Sequence, residues 1–393
     1  MATAPMPTGS RAGRRPLMKS RLPDVLPVAL LALAGAIVGY LAASGGLDPL
    51  PGVDLTRGQT LTILASLPLV YVLCIAVHEA GHVLGGRLVD FRTLLFIVGP
   101  LRIERTADGF EAGLNRSVAL AGGLAAMVPA GLHDIRRRTV VMVASGPTAS
   151  LMVGAQFLVL YQVAAPALAR PGAGFPAHFT AMVLAATGIL SLLVGIITLI
   201  PGRSGGFYSD GARLLRLMRA DDAAEREIAI ISITGMSMAG TRPRDWDRRL
   251  VDHGAGIRDG GPFEVGGLQL AFAHALDSGD IDAARRNLEA ALQRMGQLPG
   301  SARSSLLLAA ATFFALYDGD VDRARDLLRH ARDGVLAAPH RRRLAEAAVR
   351  LADGDIIGAR AAAREVPLLA RRAVDRGGAA MDEALAARIL SGD

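Results

Sequence analysis

The stretch VLCIAVHEAGHVLGG, Val72 to Gly86, sets His78, Glu79 and His82 in a row that is otherwise apolar. Histidines four residues apart stand one above the other on a single helix face, so their imidazoles can hold one metal ion together. Glu79 is turned by about 100° from His78 around the helix axis and suits a base beside the metal better than a ligand of it. This is the HExxH arrangement of zinc hydrolases. A zinc ion on neutral imidazoles lowers the pKa of a bound water to about 7, and the glutamate takes the water's proton as it attacks a carbonyl. The bland alternative is a histidine pair hydrogen-bonded inside a helical bundle. A charge at membrane depth costs roughly 2.5–3.5 kcal/mol even on lenient insertion scales, which favours a site over an accident.

Two histidines do not close a catalytic zinc site, which takes three protein ligands and a water. His133, His253, His274, His330 and His340 lie outside the apolar segments, and His178 falls at the edge of one. The better candidate lies in TLIPGRSGGFYSDGARLLRLM, where Ser209 reads as the N-cap of an apolar helix and Asp210 falls in its first turn. There the helix dipole favours the ionised carboxylate a metal needs. On spacing alone an ordinary capped helix start is the better reading.

The elements that must position these residues are membrane spans. Of the 393 residues 51% are hydrophobic and only 4% aromatic, which is too apolar for an ordinary soluble chain. The single cysteine, Cys74, excludes an intrachain disulfide and a cysteine zinc cluster, and a small buried apolar role suits it best. Four candidate spans run through Val25 to Ser44, the stretch between Arg57 and Arg87, Val140 to Ala164, and Phe179 to Ile200. The first is longer than the apolar part of a signal peptide, so an uncleaved helix is expected. Ser117 to Gly131 is too short to cross and reads as a re-entrant or interfacial hairpin packed on protein. Five basic residues precede the first span and eight arginines lie from Arg87 to Arg138, whereas the alternate loops carry only Arg57 and Arg170. The positive-inside rule then places both termini in the cytoplasm, with the HEAGH end of the second span on that side. The +7 net charge, Arg136, Arg137 and Arg138 included, is accounted for by topology, and no nucleic-acid partner is expected.

An HExGH in an apolar helix, the sequence Gly146-Pro147-Thr148-Ala149-Ser150 in a later span, and Asp210-Gly211 after the last one together resemble the site-2 protease family, intramembrane zinc metalloproteases of the M50 type. The resemblance covers roughly residues 60 to 217. It implies that His78, His82 and Asp210 ligate zinc and that Glu79 is the catalytic base. Where the family has an asparagine shortly before a proline, this chain has Thr198 before Pro201, and these become the candidate substrate-binding positions. The segment GRSGGFY also lengthens the path from Pro201 to Asp210. Residues 91–112 resemble the family's stretch after the active-site helix, with an Asp108-Gly109 turn between short strands whose edge could hold an extended substrate.

Beyond Leu217 the character changes. RPRDWDRR reads as solvated linker with Trp246 as an interfacial anchor. Gly279-Asp280, Gly319-Asp320 and Gly354-Asp355 are each followed by an Ala-Arg pair in the same register, at spacings of 40 and 35 residues. This resembles stacked tetratricopeptide-type hairpins, serving either as a self-packing bundle or as a docking surface for a protein partner. The expectation is therefore a mainly α chain: a basic disordered tail over 1–24, a polytopic transmembrane zinc peptidase over 25–220 with a short β-hairpin, a linker over 221–266, and a cytoplasmic helical-repeat region over 267–393. Its function would be cleavage of a membrane-embedded protein or peptide near the cytoplasmic side of the lipid bilayer. The competing class is an inactive metal-binding scaffold that recruits partners through the repeats.

Overall fold

The computed structural model describes residues 50, 52–106, 109–115, 122–204, 207–256, 261–298, 300–331 and 338–392. The expected tail 1–24, the expected first span Val25 to Ser44, Asp108 and the start of the 117–131 stretch lie outside them. Three helices are long and apolar enough to cross a membrane: α1 (Arg57–Leu88), α2 (Ile135–Leu168) and α3 (Phe175–Leu199). Helix α1 starts at a reciprocal cap in which the Thr56 side chain accepts from the Gln59 N–H and the Gln59 side chain accepts from the Thr56 N–H. Leu61, Leu64, Leu69, Leu73 and Leu84 on α1 and Met152, Val159 and Val163 on α2 are exposed, as lipid-facing side chains would be. The hydroxyls of Ser145 and Thr148 bond back to the carbonyls of Val141 and Ala144 at 2.6 and 2.8 Å, flanking Pro147, whose missing N–H interrupts the ladder.

The helices meet at glycines. A Cβ on Gly81 would stand 2.6 Å from both the Ser145 carbonyl oxygen and the Ala149 methyl, and one on Gly85 would overlap the Ser145 hydroxyl. The α2–α3 contact repeats the device with Gly154 against Leu192 and Gly188 against Leu158.

Between α1 and α2 lies an antiparallel sheet of four strands, β1 (Phe91–Val98), β2 (Leu101–Thr106), β3 (Gly109–Leu114) and β4 (Leu124–Pro129), in the order β3-β2-β1-β4. Two expectations change here. The short hairpin is the meander β1-β2-β3, with Thr106 opposite Gly109, and it gains a fourth strand. That strand comes from the stretch read as a re-entrant hairpin: residues 124–129 pair with β1, Leu124 opposite Ile97 and Pro129 opposite Phe91. The ladder bonds to β1 satisfy one side of this segment's backbone, which a membrane hairpin would have had to satisfy within itself.

Arg138 fastens the ends of these elements. Its guanidinium donates to the carbonyls of Val89 (2.7 Å), Asp90 (2.8 Å), Gly131 (2.8 Å) and His133 (3.0 Å) and lies over the Phe91 ring. The end of α1, the start of β1 and the exit of β4 therefore share one buried cation. Its neighbour Arg136 pairs with Glu225, so two of the three arginines assigned to topology are structural.

After β5 (Arg203–Ser204), β6 (Phe207–Tyr208) and α4 (Asp210–Arg219) come α5 (Asp222–Met238) and α6 (Arg248–Gly256). This is the region expected to be a linker. Instead Ile233, Trp246, Val251 and Ala271 form a buried cluster, and the Trp246 indole N–H donates to the Thr241 carbonyl at 3.1 Å rather than anchoring at an interface. The chain ends in α7 (Pro262–Asp277), α8 (Ile281–Gln293), α9 (Gly300–Phe313), α10 (Val321–His330), α11 (Pro339–Ala352), α12 (Ile356–Ala370) and α13 (Arg376–Ser391).

The Gly-Asp register has a clear physical cause. Gly279, Gly319 and Gly354 take φ of +82°, +64° and +83° at the ends of helical segments, and Asp280, Asp320 and Asp355 cap the helices that follow. Ala284, Ala324 and Ala359 are fully buried, where a larger side chain would force the hairpins apart. Arg285 pairs with Asp318 and Arg325 with Asp353, so each arginine reaches the residue just before the next Gly-Asp elbow.

Replacing Arg138 by leucine leaves four carbonyls without their donor, and should cost about 3 kcal/mol or more. A thermal melt of the full chain in detergent reads this as a clear drop in Tm; an unchanged Tm would show that the clamp contributes nothing.

Candidate metal centre

His78, Glu79 and His82 occupy the last third of α1 and are all buried. The approach of α2 at Gly81 and Gly85 places α2 groups on the far side of each imidazole. His82 Nδ1 lies 3.0 Å from the Met142 carbonyl oxygen, which can only accept, so this nitrogen carries the proton and Nε2 is left with its lone pair. His78 Nδ1 lies 3.1 Å from the Ser150 hydroxyl, which likewise directs Nε2 away from α2. A Cβ on Gly146 would lie 2.3 Å from His82 Nε2, so only glycine leaves room for the ring.

The third member arrives from α4. Ser209 caps this helix, accepting from the Ala212 N–H, while its hydroxyl donates to the Ile200 carbonyl at 2.8 Å and accepts from the Gly202 N–H at 3.0 Å. Gly211 packs against the Leu199 carbonyl so closely that any Cβ would collide with it. These contacts hold Asp210 in the first turn with Oδ2 3.0 Å from His78 Nε2 and Oδ1 3.4 Å from His82 Nε2. The two Nε2 atoms are 3.3 Å apart.

The donor set fits a small cation. Ligands of a tetrahedral ion at about 2.0–2.1 Å are about 3.3 Å from one another, close to the separations found here. Two neutral nitrogens and a carboxylate oxygen aimed at one point are all acceptors, and a cation is what such a convergence can share. His78, His82 and Asp210 thus form a possible metal-binding triad among the described residues.

Glu79 lies beside this triad. Its carboxylate accepts from the Ala125 N–H on β4. Gly123, at φ +106°, is so close that a Cβ would stand 2.4 Å from Glu79 Oε1. An edge strand therefore presses on Glu79, a relationship that no local sequence pattern announces.

The other two candidate positions fall differently. Pro201 is exposed between Ile200 and Gly202, the two residues whose backbones bond Ser209, and so adjoins the loop that sets Asp210. Thr198 donates its hydroxyl to the Gly195 carbonyl of its own helix at 3.2 Å, and is turned toward α3 rather than the triad. Beyond α4, Arg213 forms a two-nitrogen contact to the buried Glu227 of α5 at 2.6 and 2.9 Å, fixing the helix that carries Asp210.

Gly146→Ala separates geometry from stability. Alanine in a helix interior is ordinarily favoured over glycine by about 1 kcal/mol, yet here its methyl displaces His82. The variant should fold and lose bound metal by elemental analysis; full occupancy would refute the placement of His82. Ser150→Ala should weaken metal affinity by about 10–100-fold through the freed His78 ring, read by competition with a chromogenic chelator. Comparison of the chain with protein-family models, with curated proteins and with solved structures finds no match.

Proposed function

We propose that this protein is a membrane zinc endopeptidase that hydrolyses a peptide bond of a membrane-embedded protein or peptide, acting near the cytoplasmic face. The single observation carrying this reading is the convergence of His78, His82 and Asp210 with a buried carboxylate, Glu79, set beside them and not among them. A pure binding site has no use for that fourth group. Two imidazoles and one carboxylate at tetrahedral spacing suit zinc and leave a fourth position for water.

Zinc held by these residues supplies Lewis acidity to the scissile carbonyl and to the attacking water. The chain's own residues do the rest. Glu79 takes a proton from the water and hands it to the leaving amine, so no covalent acyl intermediate is needed. Ala125 N–H and the close face of Gly123 keep the Glu79 carboxylate turned toward the triad. The Met142 carbonyl fixes the tautomer that leaves His82 Nε2 free to bind metal, and Ser150 orients the His78 ring so that its Nε2 faces the same point. The burial of all three α1 residues limits access of bulk water. An extended substrate has a natural place along β4, the sheet edge that runs past Glu79, rather than along the 91–112 hairpin. The helical hairpins of 267–393 then form a tetratricopeptide-like cytoplasmic docking region, with both termini on that side.

Glu79→Gln should retain metal and abolish cleavage, whereas Asp210→Asn should lose metal and activity together. Comparison of membrane peptides from cells carrying wild type and Glu79→Gln identifies the substrate, and identical peptide profiles would defeat the peptidase reading. Gly123→Ala should lower kcat by one to two orders of magnitude, about 1.4–2.8 kcal/mol of barrier, at unchanged metal content.

A further inference from the structure

Many of this chain's arginines are neutralised by a carboxylate. Arg213 meets Glu227, Arg242 meets Asp277, Arg323 meets Glu289, and Arg341 meets both Asp375 and Asp382. Three arginines without such a partner face one space. An open cleft of about 350 Å³ lies between the sheet and the C-terminal helices, lined by Arg92, Arg105 and Arg376 and by apolar groups that include Leu94, Val128 and Met238. No acidic side chain lines it, and none of the three arginines has a carboxylate partner among the described residues.

The walls are built rather than accidental. Arg92 stands opposite Val128 across the β1–β4 pair, and Arg105 is held over the Phe110 ring on the neighbouring β2–β3 pair. Arg376 opens α13 directly after Asp375, and Asp375 is committed elsewhere: it accepts from Ser237 at the end of α5, from the Gly378 N–H and from Arg341. The adjacent carboxylate is thus engaged elsewhere while its neighbour's cation is left facing the cleft. Like charges gathered around one space repel unless an anion joins them, and guanidinium forks match the oxygens of a phosphate.

We infer that this cleft binds a phosphate-bearing anion, with Arg92, Arg105 and Arg376 as its ligands and the apolar wall against the organic part of the molecule. The phosphate can come from a soluble di- or triphosphate or from an acidic phospholipid headgroup, because Arg92 lies only four residues beyond the end of the α1 span. The site bridges two parts of the molecule, the sheet beside the metal centre and the turn between α12 and α13, so occupancy ties one to the other.

The test uses the full chain reconstituted in phosphatidylcholine nanodiscs. Pyrophosphate binding is measured by calorimetry, and retention of phosphatidic acid doped into the discs by native mass spectrometry. Binding of either probe, weakened at least about tenfold in R92Q/R105Q/R376Q and partly kept in R92K/R105K/R376K, is the expected result, and the arm that responds identifies the source. Because the three side chains are exposed, the glutamine variant should keep its Tm and metal content. The inference is overturned if wild type binds neither probe, if the glutamine variant binds as tightly, or if only an acidic peptide such as polyglutamate binds. The readout is binding, not cleavage, so it stands or falls separately from the peptidase reading.

Discussion

The centre depends on one close approach. Where α1 and α2 cross, Gly81 and Gly85 let the backbone of one helix come within touching distance of the other, and Gly146 returns the favour for His82. That distance brings the Met142 carbonyl and the Ser150 hydroxyl within hydrogen-bond reach of the two imidazoles. In lipid, close packing of small residues replaces the hydrophobic drive that holds soluble helices together. Gly81 and Gly85 therefore serve association and ligand orientation together, and a methyl group at either acts on both.

Around this crossing the supports are layered by reach. Arg138 ties the end of α1 to the exit of β4, which lays the strand along the last turns of α1, from Gly123 beside Glu79 to Met127 beside Gly86. Ser209 and Gly211 settle the loop after α3 and thereby Asp210. Each of these contacts joins groups that are far apart in sequence but whose positions are tightly limited by backbone hydrogen bonding.

The readable part of the chain was the part with a period. His78, Glu79 and His82 could be read from helical spacing, the three described spans from length and apolarity, and the Gly-Asp elbows from their repetition. Asp210 needed the resemblance, because a capped helix start looks the same with or without a ligand role. β4 was missed since LAAMVP has neither alternation nor β-branched density, and its pairing with β1 is a tertiary fact. Trp246 was misread because the charges around it in RPRDWDRR suggest solvent, while its indole turns inward onto α5 and α7. The glycines were visible as residues but not as contacts, for a glycine's reason lies in whatever stands opposite it.

Helix α5 touches more of this machinery than its place in the chain suggests. Glu227 on it grips Arg213 beside the Asp210 turn, and Gly235 rests against Pro129 at the end of the strand whose beginning holds Glu79. Ser237 at its far end fastens the turn that opens α13. One seventeen-residue rod thus shoulders the Asp210 turn, the strand behind Glu79 and the helical hairpins at once. Asp210 and β4 therefore share one support on the side of the hairpins, while His78, Glu79 and His82 stand on α1, so the candidate site is assembled from two separately held halves.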